Sequence, residues 1–188
     1  MQLLIYGSKD FAPTVAELAR HCGHEVVGMI DDFSTGPGIL GTFDSVVRSH
    51  PPGQYAMAMA IGYQHLGGRW KAWQKVLAAG YAAPALVHPR AYVSDSATLG
   101  PGTMVMAGAL VDGRARIGAL VVLWPGACVS HDCNVGDNSF ISPNATLCGF
   151  VQLGADSFVG AGAAIADHCS VPPSSRIKML ARHSGKTP

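Results

Sequence analysis

The sequence predicts a chain of two parts: an α/β unit of parallel strands and helices, then a parallel β-helix of six-residue repeats. Three observations predict it. Strand-like and helical patterns alternate over residues 1 to about 85, which implies βαβ units. From Val87 an aliphatic side chain recurs at every sixth position, and two columns of glycine or asparagine recur at every eighteenth. A short fixed period of this kind belongs to stacked coils.

In the first part, LLIY (3–6) reads as a short apolar strand, and FAPTVAELARHCG (11–23) has helical spacing with Gly23 as its stop. HEVVGMIDD (24–32) is a second strand ending in Asp31 and Asp32. Residues 33–54 are rich in Gly, Pro, Ser and Thr, with one helical candidate at FDSVVRS (43–49). YAMAMAIG (55–62) is a third strand, and GGRWKAWQKVLAAG (67–80) a helix closed by Gly80. Asp31 follows Gly7 by 24 residues, yet G-x-G-x-x-G is absent, so no dinucleotide site is predicted.

In the second part, all sixteen sixth positions from Val87 through Val93 and Leu99 to Ile177 are Val, Ile or Leu. Those types fill only 39 of the 188 positions, which excludes chance. Four residues after each of the first fifteen stands a small or β-branched residue, from Ala91 to Ser175. Both positions point inward, so each hexad is one wall of a coil. Gly100, Gly118, Gly136 and Gly154 form one eighteen-residue column, and Gly108, Gly126, Asn144 and Gly162 form another. These types tolerate positive φ, as stacked corners would require. Three walls per coil and about five coils follow. The predicted parts are residues 1–84, 85–178 and a tail at 179–188.

Composition bounds the class. A formal charge of +1 opposes a nucleic-acid or polybasic membrane surface. No apolar run approaches the ~20 residues that cross a bilayer, and MQLLIYG lacks the features of a signal peptide. Five cysteines, an odd set without CxxC, fit reduced thiols and a cytoplasmic location.

The decapeptide CVSHDCNVGD (128–137) raises the question of chemistry. Wall sidedness puts Cys133 and Cys169 inside the prism and Cys128 outside, so Cys128 and Cys133 cannot share a metal. His131 is the third residue of its hexad, near a corner. Its neighbours one coil away are Gly113 and Gly149, which leave the wall bare for a substrate or thioester. Zinc needs three or four N/S ligands, so no metal is expected. A corner histidine on a bare wall reads as a catalytic residue, beside the plainer reading of an exposed turn histidine.

The runs HPRAYVSDSATLGPGTMVMAGALV (88–111) and GACVSHDCNVGDNSFISPNATLCGFVQLGADSFVGAGAAI (126–165) resemble the bacterial sugar acetyltransferases. These include enzymes that N-acetylate nucleotide-linked bacillosamine and perosamine, and relatives of sialic-acid O-acetylation. Gly7, the Asp31–Asp32 pair, and AIG (60–62) followed by Arg69 match as well. The resemblance implies a Rossmann-like βαβ domain and a left-handed β-helix. It further implies a homotrimer with active sites at subunit interfaces, acetyl-CoA as co-substrate and a nucleotide sugar held by the N-terminal domain. His131 would be the general base, with Asp132 raising its basicity. Gly149 and Ala161 would contact acetyl-CoA, and Gly7, Ser8, Lys9, Asp31, Asp32, Gly62 and Arg69 the sugar nucleotide.

The chain departs from the family pattern in three places, one of them IKMLARHSG (177–185), which replaces a more glycine-rich final coil and implies a different cover over the CoA. GSKDFAP (7–13) replaces a Gly-His-Gly-like loop, so Asp10 and Phe11 stand where a small residue and a histidine belong. Phe140 replaces a second histidine of the bacillosamine enzyme, which points to a different sugar or a changed CoA contact. Asp31 and Asp32 also read as a polar strand end, and Arg69 as either a phosphate contact or a solvated helix residue. The leading expectation is N-acetylation of a nucleotide-linked amino sugar. O-acetylation of a sialic-acid-type sugar and a non-catalytic trimeric scaffold stand beside it.

Overall fold

The computed structural model describes residues 1–185. Two compact units divide at Leu86 and Val87. The boundary falls there because Leu86–Val87 is already the first wall strand, with His88 N–H donating to Val105 C=O.

The first unit has strands β1 (Gln2–Tyr6), β2 (Glu25–Ile30), β3 (Ile39–Gly41) and β4 (Tyr55–Met59) in one parallel sheet of order β3-β2-β1-β4. Helices α1 (Phe11–His21), α2 (Phe43–Ser49) and α3 (Leu66–Ala78) connect them. The α1 face carrying Ala12, Val15, Ala16 and Ala19 is buried, as its i, i+3, i+4, i+7 spacing dictates. Its end is a Schellman turn: Gly23 adopts φ +77°, and His24 N–H reaches back to Ala19 C=O. Strand β3 lies in the stretch expected to be irregular, at the sheet edge, where Ile39 and Gly41 pair with Met29 and Ile30.

Every predicted wall is present in the second unit. Among the described residues, seventeen two-residue strands run from Leu86–Val87 to Arg182–His183 and stack into three parallel sheets. Each strand pairs with those eighteen residues away, as Asn134 does with Arg116 and Gln152. The result is a left-handed β-helix of about five coils. Aliphatic and small residues alternate through its core, from Val105 and Ala109 to Cys169 and Val171. The buried hydroxyls inside the prism are paired: Thr103 donates to Gly118 C=O, and Ser139 Oγ accepts from Ser157 N–H.

Two expectations are corrected. The coils continue past residue 178, because Ala164 and Ile165 pair with Arg182 and His183. The expected tail is therefore wall as far as His183, and its last three residues, 186–188, lie outside the described residues. The column at Gly100, Gly118, Gly136 and Gly154 is not a positive-φ column. It exists for lack of space, since a Cβ at Gly100 would stand 2.5 Å from Ala119 N in the next coil.

Corners are turned by a residue in the left-handed region at every sixth position from Gly102 to Leu180. Ten of these are not glycine, and each such residue carries a local conformational cost. Intercoil hydrogen bonds offset it: Asp132 N–H donates to Gly113 C=O at 3.0 Å and Phe150 N–H to His131 C=O at 3.1 Å.

Candidate active site

Along one edge of the prism the left-handed corner residues are Arg114, Asp132, Phe150 and His168, with φ of 59°, 58°, 63° and 57°. Spaced by eighteen, they stack in one file. The residues just before them, Gly113, His131, Gly149 and Asp167, form a second file alongside.

His131 and Asp132 meet across these files. The ring Nδ1 lies 2.9 Å from Asp132 Oδ2. Neighbours on an extended strand point to opposite sides; the positive φ of Asp132 breaks that alternation and turns both side chains the same way. Asp132 also receives a residue from the preceding coil. Arg114 Nε donates to its Oδ1 at 2.8 Å and Nη2 to its Oδ2 at 2.6 Å. That guanidinium, and then the His131 ring, push the Asp132 carboxyl down to about 2, and the same pairing raises Arg114.

With Nδ1 turned to a carboxylate, the proton belongs on Nδ1 and the Nε2 lone pair is free to accept. The side chain is half-exposed. Its ring lies across Gly149, where a Cβ would stand 2.8 Å from Cε1 and 3.0 Å from Nε2. Phe150 meets the imidazole edge-on at 5.3 Å and stacks face to face with His168 at 4.6 Å. The missing Cβ at Gly149 leaves room for the imidazole itself.

Phe140 sits on the wall strand Phe140–Ile141. Its side chain turns out of the prism in the row of Val122 and Phe158, yet it is only 1% exposed. Ala161 is half-buried and lies on another edge, in the file of Ala107, Pro125 and Pro143. Cys133 and Cys169 are buried, and Cys128 and Cys148 half-buried. Among the described residues no three His, Cys, Asp or Glu side chains converge as a metal would need.

Within the first unit, the loops after β1 and β2 meet at the C-terminal edge of the sheet. Gly7 (φ +118°) passes so close to β4 that a Cβ would stand 2.8 Å from the Ala60 carbonyl carbon. Ser8 donates to Asp31 Oδ2, Phe33 and Ser34 N–H both donate to Asp31 Oδ1 at 2.8 Å, and Lys9 Nζ donates to Ser34 Oγ at 2.6 Å. Asp32 accepts from Tyr6 OH at 2.6 Å and Phe43 N–H at 2.8 Å, with Lys75 Nζ 3.6 Å away. Burial acts to raise both carboxyls. The hydroxyl and N–H donors and the two lysines outweigh it, and both are held below the ordinary range. Both aspartates thus brace the loops, a duty beyond the ligand contact and the polar strand end expected of them. Gly62 opens the short 3-10 turn Tyr63–His65, with clear space around it. Arg69 is not a solvated helix residue. It is fully buried on α3, and burial pushes its guanidinium down to about 9.

The sequence matches a family model, bacterial transferase hexapeptide (six repeats), over residues 132–167. Among curated proteins no sequence matches the chain. Among solved structures it is similar to the acetyltransferase domain of PglB from Neisseria gonorrhoeae. Identity is 30% and the TM-score 0.91, over all of this chain and 93% of that one. The chain belongs to the hexapeptide-repeat sugar acetyltransferases. The same domain in complex with acetyl coenzyme A is 29% identical, with a TM-score of 0.87 over 98% of this chain and 93% of that one. A histidine-to-asparagine mutant of perosamine N-acetyltransferase from Caulobacter crescentus, in complex with CoA and GDP-perosamine, is 27% identical. Its TM-score is 0.78, over 96% of this chain and 94% of that one.

As an acyltransferase of this family, the chain surrounds the His131–Asp132 pair with neighbours that reading along the sequence missed. Arg114, Phe150 and His168 stand eighteen residues from Asp132 or from one another, so the coil period contained the signal. No sequence rule, by contrast, marks Tyr6 and Lys75 as partners of Asp32.

Proposed function

We propose that the protein transfers the acetyl group of acetyl-CoA to the amine of a nucleotide-linked amino sugar, with His131 as general base. One observation carries this reading: the imidazole, on a half-exposed side chain, is anchored through Nδ1 to Asp132, which leaves Nε2 as its accepting nitrogen. The acetyl-CoA complex of the gonococcal domain and the CoA–GDP-perosamine complex of the Caulobacter enzyme supply the substrate classes.

In the proposed reaction the sugar amine attacks the thioester carbonyl through its lone pair. The amine proton passes to Nε2, and Asp132 stabilises the imidazolium through Nδ1–H. Collapse of the tetrahedral intermediate forms the amide and breaks the C–S bond. The imidazolium returns the proton to the departing CoA thiolate, so the enzyme ends as it began. The oxyanion needs an N–H donor, a role assigned to Gly149.

The two expected acetyl-CoA contacts, Gly149 and Ala161, stand on different edges of the prism. A cleft between neighbouring protomers brings different edges together, which supports a homotrimer with interfacial sites. At the C-terminal edge of the first unit's sheet, Ser8 and Lys9 lie where α/β folds receive ligands, and the sugar nucleotide is assigned there.

Thiol release from acetyl-CoA against a panel of nucleotide amino sugars and free sialic acids tests the reading. Turnover is expected with a nucleotide amino sugar, and His131→Ala is expected to lower kcat at least ~100-fold. Turnover confined to sialic acids, or near wild-type turnover without the imidazole, would overturn it.

A further inference from the structure

We infer that Arg114 is a positioning residue for the reaction: its guanidinium locks the Asp132 carboxylate, and through it the tautomer and orientation of the His131 imidazole. This inference rests on the reading of His131 as general base.

The geometry is that of a fork. Two guanidinium nitrogens reach both carboxylate oxygens, at 2.8 and 2.6 Å, and Oδ2 is the oxygen that also meets His131 Nδ1. A bidentate pair fixes the plane of the carboxylate as well as its place. Without it, Asp132 has one short partner and is free to turn its oxygens toward solvent. A lysine would supply charge but not the plane.

Folding does not account for the fork. The Arg114 side chain is 67% exposed, and ion pairs so open to water contribute little to stability. The pair exists because Arg114 and Asp132 are left-handed corner residues eighteen apart, which sets one side chain directly along the edge from the other.

The cation also offsets the carboxylate's charge. Asp132 can then orient the ring without exerting the full pull of an unpaired anion on its proton. The groups facing His131 are few. Asp132 lies on its own corner, Arg114 comes from the preceding coil with Asp112 acting on it through space, and Phe150 comes from the following coil with His168 behind it.

The test compares Arg114→Met, Arg114→Lys, Asp132→Asn and the Arg114→Met/Asp132→Asn double variant. Two readouts are used: steady-state acetyl transfer, and the ¹⁵N resonances of the His131 ring. Arg114→Met is expected to lower kcat about tenfold, with KM for acetyl-CoA within about twofold. It should also let the Nε2–H tautomer appear. Arg114→Lys should restore only part of kcat. In the Asp132→Asn background the arginine change should add nothing. Additive losses in the double variant would overturn the proposal, as would an unchanged tautomer with only a lowered Tm. If His131→Ala leaves turnover intact while Arg114→Met still alters the tautomer, the general-base reading fails and the clamp stands.

Discussion

The imidazole of His131 occupies the volume that a side chain at Gly149 would fill, one coil further along the same edge. The glycine therefore shapes the base it neighbours. Gly149→Ala puts a methyl group 2.8 Å from Cε1 and obliges the ring to shift. The methyl meets only the end of a side chain, so the fold should survive with little change in Tm. A displacement near 1 Å at a reacting nitrogen is expected to lower kcat by about 10- to 100-fold. Steady-state kinetics beside a melting curve check this; unaltered kcat would show that the ring need not lie there.

Asp132 gives a pH prediction with a defined sign. Its carboxyl is pushed down to about 2 in the fold, against about 3.9 in an unfolded chain. A depressed carboxyl stabilises the fold above the unfolded value, and that contribution disappears as pH falls through the folded one. The pair is open to water, so the Tm gap between wild type and Asp132→Asn should be small; it should stay level from pH 9 to pH 5 and vanish between about pH 4 and pH 2. The carboxylate is charged throughout the working range, so any acid limb above pH 5 belongs to another group. A Tm gap that instead closes near pH 6 would contradict the ion pair.

Cys133 lies inside the prism, and burial pushes its thiol up to about 11. At pH 8 about one molecule in a thousand carries the thiolate that reacts. A disulfide reagent applied to native protein should label Cys128 and Cys148 and leave Cys133 untouched until denaturant is added. Peptide mapping reads the result directly. Rapid labelling of Cys133 would mean that the wall opens readily.

Gly7→Ala should destabilise the first unit. The substitution combines a φ of +118° with a contact of 2.8 Å to Ala60 backbone, which cannot yield as a side-chain tip does. A loss of about 3 kcal/mol is expected, measured by denaturant unfolding. A loss below about 1 kcal/mol would show that the loop after β1 is free to move.

The coils were legible because each inward residue must satisfy the same narrow interior, so Val129, Val135 and Ile141 repeat without exception. His131 was legible for the same reason, as an outward polar residue beside two bare positions. Its partner was harder. Alternation along a strand places Asp132 opposite to His131, and only the left-handed corner reverses this. Arg114 depends on the stacking of separate coils, which a reading of neighbours along the chain does not reach. In the first unit no period constrains the loops. Asp31 and Asp32 could be placed at a strand end, whereas their capture by Phe33, Ser34 and Phe43 N–H follows from turn geometry alone.

The eighteen-residue pitch limits how such a chain can change its length. Dropping one residue between Cys133 and Gly149 would slide every later wall by one step, bringing Phe150 under the imidazole and exchanging buried for outward side chains along the remaining coils. Whole turns can be gained or lost at either end without this penalty. Descendants of this sequence are thus free to grow taller or shorter, while the chemistry at the His131 edge is rewritten only one storey at a time.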